Sequence, residues 1–211
     1  MAIIFCVTAS LVITPSYVVN GLSVGNNSSY FNEKNAAIFG QTRIDKMPNP
    51  DFTFFNETSG LPTYWNDPTE ACRDIFSCTV KLTVGWNDLV SFALSTTDNK
   101  NDTWSSIKGR VIPVETGKKY QIVSHMKLND WAMQSHVGIE GFNVTSDRWY
   151  QITQCPSGLN GPLEWKEFSC IISIPGDTTK IRPVLNAGWS SKPNNEATTW
   201  FDSINILTNV S

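Results

Sequence analysis

The distribution of apolar and polar residues along the chain predicts β-strands rather than helices. No segment has the period of an amphipathic helix; short runs rich in Val, Ile, Thr and aromatic residues recur instead, separated by Gly, Pro, Asn and Asp. Such spacing and turn residues are typical of an all-β fold, a sandwich of two antiparallel sheets. The predicted strands are 75–84, 88–96, 106–114, 119–128, 135–143, 149–153, 165–175, 180–189 and 198–207.

Alternation within these strands predicts which side chains share a face, because successive residues of a strand point to opposite sides of its sheet. Applied to the strands 119–128, 135–143 and 180–189, it places one set of polar side chains on a single outer sheet surface: His125, Lys127, His136, Glu140, Arg182 and Asn186. Trp131 and Trp189 are expected in loops at the rim of this surface. In the alternative interpretation, these polar groups only satisfy one another. Trp165 and Trp200 lie within apolar strands and are assigned to the core.

The overall composition is that of a folded domain and argues against a nucleic-acid partner. The 211 residues are enough for a single domain with a substantial core. The formal net charge is -3, and no block of Lys and Arg is present. Because nucleic-acid binding depends on clustered cations, this class of partner is not expected.

The N-terminal sequence predicts that the protein is located outside the cytoplasm. Residues 2–14 are almost entirely apolar and uncharged, but a membrane span takes about 20 such residues. Residues 1–20 are therefore interpreted as a signal peptide or a membrane-anchor segment, with a buried strand as the alternative. Residues 21–44 are expected to be a linker or an opening strand, and 45–211 the β-sandwich domain. Any membrane contact is expected only through the N-terminal segment, and the domain is predicted to be extracellular or at the cell surface.

Cysteines and glycosylation motifs agree with that location. Beyond Cys6, the four remaining cysteines fall into two local pairs, Cys72 with Cys78 and Cys155 with Cys170. An even count favours disulfides in an oxidising compartment, and the local pairs are preferred among three possible connectivities. Zinc is the alternative, although no CxxC spacing is present. N-x-S/T motifs, the acceptor sites for N-linked glycans, begin at Asn26, Asn27, Asn56, Asn101, Asn143 and Asn209.

The order of several short motifs resembles the jelly-roll carbohydrate-binding modules, within the galactose-binding-like β-sandwich superfamily. The motifs are NPDFT (49–53), LPTYWN (61–66), VIPVETGKKYQIVSHMKL (111–128), LEWKEFSCIISIPGDTTKIRPVL (163–185) and WFDSINIL (200–207). The resemblance implies a jelly-roll fold and a non-catalytic domain that binds glycans on a sheet face. It also implies a structural calcium, for which Asp202 occupies the matching position and Asp51 lies near the second. Thr53 stands where the family often has an acidic ligand, and Asp202 could instead hydrogen-bond a neighbouring loop.

Catalytic and copper-binding functions are the weaker alternatives. No G-x-S-x-G elbow is present, and Glu140 and Glu167, a conceivable carboxylate pair for glycoside hydrolysis, lie on strands that are not obviously adjacent. His125, Met126, Met133 and His136 offer imidazole and thioether ligands to copper. The sequence thus predicts a domain that binds an oligo- or polysaccharide through Trp131, Trp189, His125, His136, Glu140, Arg182 and Asn186. A structural or adhesive cell-envelope domain, using the same fold for protein contacts, is the competing hypothesis.

Overall fold

The structure is a computed structural model that describes residues 45–56, 61–66, 76–81, 84–101, 103 and 105–208. The predicted 1–20 and 21–44 segments, Cys6, Cys72, Asn26, Asn27 and Asn209 lie outside this part of the chain. The strands are β1 (Trp65–Asn66), β2 (Phe76–Lys81), β3 (Ser91–Thr96), β4 (Ser105–Gly109), β5 (Ile112–Pro113), β6 (Lys119–Leu128), β7 (His136–Asn143), β8 (Arg148–Gln154), β9 (Leu163–Ser173), β10 (Thr178–Ala187) and β11 (Ala197–Leu207). No helix of the described residues is long and apolar enough to cross a membrane.

The strands form two antiparallel sheets. The first sheet has the order β1-β4-β10-β7-β8, with β5 also pairing with β10, and the second has the order β2-β3-β11-β6-β9. Consecutive strands often fall in different sheets: β6 belongs to the second sheet, and β7, the next strand along the chain, belongs to the first. All nine predicted strand regions are confirmed, and the region 106–114 contains both β4 and β5.

The core lies between the two sheets and follows the predicted alternation. Ile122 and Met126 of β6 are fully buried, as are Val137 and Ile139 of β7. Aromatic rings fill the part of the core next to residues 45–56. The ring centroid of Phe52 lies 5.2 Å from that of Trp65 and 5.7 Å from that of Phe92. Burying an aromatic or large aliphatic side chain is worth roughly 1.5–3 kcal/mol, so this layer supplies much of the stability of the fold.

Two core assignments were wrong. Trp165 of β9 and Trp200 of β11 are only half-buried and lie outside the core cluster. Trp200 pairs with Lys127, whose side chain points away from the core, and therefore belongs to the outer face of the second sheet. An apolar strand in a sandwich still has one outward face, so the apolar character of the neighbours did not settle the direction of either side chain.

A disulfide links the edges of the two sheets. Cys155 directly follows β8 in the first sheet, and Cys170 lies in β9 of the second; their Cα atoms are 6.1 Å apart. This confirms the predicted local pair. A bond that closes a loop of 15 residues restricts the unfolded chain and is worth about 3 kcal/mol. The Cys72–Cys78 pair stays a prediction, since Cys72 lies outside the described residues.

Candidate functional site

The outer face of the first sheet gathers most of the predicted polar residues. Register pairs Arg182 with Glu140, Val184 with Gly138, and Asn186 with His136 across β10 and β7. On the far side of β7, Phe142 pairs with Trp149 of β8. Because these positions alternate with the core residues Ile181, Leu185, Val137 and Ile139, their side chains point away from the core. This surface is called the first-sheet face below.

An arginine, a carboxylate and a tryptophan occupy the middle of the first-sheet face. The Nη2 and Nε groups of Arg182 donate to the Oε2 atom of Glu140 at 2.6 and 2.7 Å. The guanidinium carbon lies 4.0 Å from the centroid of the Trp149 ring. The side chains of Arg182 and Glu140 are 17% and 25% exposed, respectively. Held by an ion pair on one side and a stacking contact on the other, the planar guanidinium is fixed in direction.

The pair of Asn186 and His136 completes the face toward one end. The Oδ1 atom of Asn186 accepts a hydrogen bond from Ser106 Oγ at 2.5 Å, and its Nδ2 group donates to the carbonyl of Val184 at 3.2 Å. His136 Nδ1 lies 3.2 Å from the carbonyl of Gln134, to which it donates. Burial lowers the pKa of His136 below its usual value, so the ring is neutral at pH 7 and offers Nε2 as an acceptor.

Trp131 and Trp189 lie in two adjacent loops beside the ends of β7 and β10 that carry His136 and Asn186, here called the rim; their part in binding stays a prediction. An isolated bridge pairs Ala132 with Ser190, Met133 N donates to the carbonyl of Trp189 at 3.1 Å, and Ser191 N donates to that of Trp131 at 2.8 Å. Both rings are half-buried. The Nζ atom of Lys192 lies 5.2 Å from the centroid of Trp131. The rim is thus formed by two loops that hydrogen bonds hold against each other.

The assignment of His125 and Lys127 to this surface was wrong. Both belong to β6, which lies in the second sheet, and their side chains point outward from that sheet. His125 is buried under Trp86, with ring centroids 4.6 Å apart, and its Nε2 atom is 3.3 Å from Glu167 Oε2. Burial lowers the pKa of His125 although the nearby carboxylate of Glu167 raises it, and the contact with Glu167 lacks the geometry of a hydrogen bond. Lys127 Nζ is 2.8 Å from Glu164 Oε2.

The same separation into two sheets keeps apart the residues on which the two weaker alternatives were based. Glu140 lies in the first sheet and Glu167 in the second, so the two carboxylates do not face a common substrate. Of the copper donors, His125 points outward from the second sheet, Met126 is fully buried in the core, and His136 lies in the first sheet. Among the residues that the structure describes, no group of three or more His, Cys, Asp or Glu side chains could hold a metal ion.

Asp202 and Asp51, the residues predicted to bind calcium, lie near each other but already serve as hydrogen-bond acceptors. Asp202 Oδ2 accepts from the backbone N–H of Trp86 at 2.7 Å, and Oδ1 accepts from that of Ser203 at 2.6 Å. Asp51 Oδ1 accepts from Ser203 Oγ at 2.9 Å. Calcium takes 6–8 oxygen ligands, so backbone carbonyls would have to supply several beside these two carboxylates, and a calcium ion here stays a prediction. The contact with Trp86 is the loop hydrogen bond that the sequence offered as the alternative for Asp202.

We expect Asp202 to make the stability of the domain depend on pH. Burial raises the pKa of Asp202 from 3.8 to about 7, with Asp88 and Asp51 adding repulsion. The folded state therefore binds this proton more tightly than the unfolded state. Its stabilising contribution is complete below about pH 4 and is lost as the pH rises through about 7. Asp202→Asn should thus be less destabilising at pH 8 than at pH 5, by roughly 2–3 kcal/mol.

Denaturant unfolding of both proteins at the two pH values measures this difference. A constant difference between the two proteins would contradict it. The same measurements with added calcium and with a chelator test the predicted site: a calcium-dependent rise in stability of the wild type alone would establish calcium binding at Asp202, since a ligand of the native state stabilises it by mass action.

The three predicted glycosylation sites within the described residues differ in how exposed their side chains are. Asn56 and Asn101 are exposed. The Nδ2 group of Asn143 donates to Asp177, and its Oδ1 accepts from the backbone N–H groups of Thr145 and Ser146 at 2.9 and 2.8 Å. A glycan on Asn143 would replace one of the two Nδ2 hydrogens beside Asp177, so the remaining N–H would have to make this contact. Glycosylation of all three residues stays a prediction.

Trp149 is the residue of this site that the sequence analysis missed. It begins the predicted strand 149–153, but its contact with Arg182 depends on β8 lying beside β7. Trp149 and Gln151 share a strand face by alternation, and only the register places them beside Phe142 and Glu140. The sequence did offer one signal, an aromatic residue and a polar residue, Trp149 and Gln151, on the same face of a predicted strand.

No family model and no curated protein sequence matches the chain. Among solved structures, the enzymatically active domain of tailspike protein 4 of bacteriophage CBA120 is similar over 77% of this chain, with 15% identity and a TM-score of 0.52. The match covers 21% of the tailspike chain. A CBM4 carbohydrate-binding module is similar over 77% of this chain and 99% of its own, with 19% identity and a TM-score of 0.51. The described domain therefore has the jelly-roll β-sandwich fold found in a carbohydrate-binding module, as the sequence predicted.

Proposed function

We propose that this protein binds carbohydrate, without catalysis, on the first-sheet face. The observation that carries the proposal is the Arg182–Glu140 pair stacked on Trp149 in the middle of an outward sheet surface. Glu140 takes two of the five N–H groups of the guanidinium, so the others can meet the hydroxyl groups of a sugar. His136 Nε2 and the amide of Asn186 add an acceptor and further polar atoms nearby.

The surroundings of this cluster suit a sugar ring. Sugar-binding surfaces combine aromatic rings, which cover the apolar faces of a pyranose, with a few positioned polar groups. Gly138 lies between His136 and Glu140 along β7, and a Cβ atom there would come within 3.4 Å of Asn186 Nδ2. The absence of a side chain at Gly138 lowers the floor of the face between the polar groups. Trp131 and Trp189 lie in the loops next to the strand ends that carry His136 and Asn186, and we propose that they add aromatic surface there.

We further propose that the domain works outside the cytoplasm. The disulfide between Cys155 and Cys170 supports this location, since such bonds persist mainly in oxidising compartments. The N-terminal apolar segment of the sequence agrees with secretion or membrane anchoring.

Screening the whole protein on a glycan array, followed by calorimetry on the hits, tests the proposal. We expect Arg182→Ala to weaken binding about tenfold or more, because a ligand loses the oriented donors. Arg182→Lys should also weaken binding, since an ammonium keeps the charge but not the planar fork. Because Arg182→Ala leaves the carboxylate of Glu140 unpaired, the double variant with Glu140→Ala checks that the loss is not merely misfolding.

Two results would count against the proposal. Equal binding by the wild type and the folded Arg182 variants would place the sugar site elsewhere. Failure of every glycan to bind the wild type would favour the competing hypothesis of a cell-envelope domain that contacts other proteins.

A further inference from the structure

Cations stacked on aromatic rings recur at the first-sheet face and along its borders. Arg110 lies 5.3 Å from the ring centroid of Tyr64 at the β1–β4 edge, and Lys180 lies 5.6 Å from that of Phe142. The Arg182–Trp149 and Lys192–Trp131 pairs add one contact in the middle of the face and one at the rim. Of the five such pairs among the described residues, only Lys166 with Phe168 lies on the second sheet.

Most of these cations are not neutralised by a carboxylate. Arg182 is paired with Glu140. Arg110, Lys180 and Lys192 form no ion pair within the described part of the chain, and all three are exposed. Lys108 of β4, which pairs with Val184, adds a further cation to the face. These cations lie together on a chain whose formal net charge is -3.

We propose that the ligand of the first-sheet face is an anionic glycan, whose sugar rings carry carboxylate or sulfate groups. This inference rests on the proposed function. An aromatic ring beside a cation can stack on the sugar ring while the cation pairs with its anionic substituent. A neutral glycan would use the rings but leave the cations without a partner.

The spacing of the pairs suits an extended chain rather than a single sugar. The strands β4, β10, β7 and β8 are neighbours in the sheet, and three interstrand spacings span about 14 Å. Arg110 and Tyr64 lie at one edge of this span, and Trp149 lies at the other. A chain crossing the strands would meet a cation at more than one of its sugar units.

Pairs of ligands with the same sugar backbone and different numbers of negative charges test this inference. Oligogalacturonate is compared with its fully methyl-esterified form, and chondroitin sulfate with unsulfated chondroitin, by calorimetry on the whole protein. The first comparison isolates the contribution of carboxylates and the second that of sulfates. We expect at least one charged ligand to bind about tenfold or more tightly than its partner, and its affinity to fall as salt is added, because exposed charges are screened.

Variants test whether the preference for charged ligands comes from the cations of the first-sheet face. The double variant Arg110→Gln with Lys180→Gln removes two cations along this path while keeping long polar side chains, and should weaken binding of the charged ligand roughly tenfold. Lys166→Gln is the matched control, since it removes a stacked cation on the second sheet and should leave binding unchanged.

Each failure has a distinct meaning. If the two ligands of each pair bind equally although one carries more negative charge, the anionic ligand is wrong while the proposed function stands. If charged ligands bind the double variant as tightly as the wild type, the cations of this face are not responsible. Tighter binding of a single-stranded oligonucleotide than of any glycan would overturn the inference in favour of another polyanion, and no glycan binding at all would overturn the proposed function itself.

Discussion

Replacing Gly188 with alanine should destabilise the domain by about 3 kcal/mol or more, at the upper end of the range for overpacked sites. A Cβ atom at Gly188 would lie 1.9 Å from the carbonyl oxygen of Met133 and 3.0 Å from its carbonyl carbon. The obstacle is backbone, so no side chain can rotate away to make room. The loop containing Trp131 would have to move from the loop containing Trp189, and the hydrogen bond from Met133 N to the carbonyl of Trp189 would break.

Gly176→Ala is the matched control for this prediction. A Cβ atom at Gly176 would meet nothing within 4 Å, and the backbone there is not left-handed. Alanine should therefore be neutral, or stabilising by a few tenths of a kcal/mol through a smaller loss of chain entropy. Thermal unfolding measures both variants. A destabilisation of 3 kcal/mol corresponds to a fall in melting temperature of roughly 10 °C in a domain of this size. Equal melting temperatures for the two variants would show that the loops do not approach as closely as described.

Removing a rim tryptophan should abolish measurable glycan binding. Aromatic anchors carry a large share of binding energy because each buries a wide, rigid surface at little cost in side-chain entropy. A loss of about 2 kcal/mol or more, at least roughly 30-fold in affinity, is expected for Trp189→Ala. Trp131→Ala should have a similar effect on binding but a larger one on stability, because the Trp131 side chain also packs against the core cluster.

Trp165→Ala provides the comparison for the rim variants. Trp165 is half-buried like Trp189 but lies on β9 of the second sheet. Its removal should lower stability without changing affinity. Calorimetry with a glycan that binds the wild type measures each variant, after a melting curve shows that it is folded. If Trp165→Ala weakens binding while both rim variants bind normally, the binding surface lies on the second sheet, where His125 and Trp86 stack.

Gly188→Ala and the tryptophan variants change different properties of the same rim, the spacing of its loops and the presence of its rings. Gly188→Ala moves the two loops apart while leaving every aromatic ring in the chain, whereas Trp189→Ala removes a ring while leaving the loops together. A site that depends on the position of the rings should lose binding in both. Residual folded Gly188→Ala protein that still binds glycan would show that the rings act independently of their spacing.

Local patterns in the sequence determined the strands and the direction of most side chains within them. The predicted bounds 119–128 are those observed for β6, and the predicted core faces of β6 and β7 are buried. These features depend on neighbours one or two residues apart, because alternation is a property of a single extended strand. The pairing of Cys155 with Cys170 was likewise predictable from the short loop between them.

Only the tertiary structure decided which strands share a sheet, and this separated His125 and Lys127 from the rest of the predicted surface. β6 and β7 are consecutive in the sequence, yet the chain crosses from the second sheet to the first between them. Strand pairing is set by contacts between distant segments, such as β10 with both β4 and β7, which single-strand periodicity does not encode. The ring of Trp149 became part of the site for the same reason. The sequence by itself thus determined the strands, their inward faces and a set of plausible ligand contacts, whereas long-range pairing decided which of those contacts lie together.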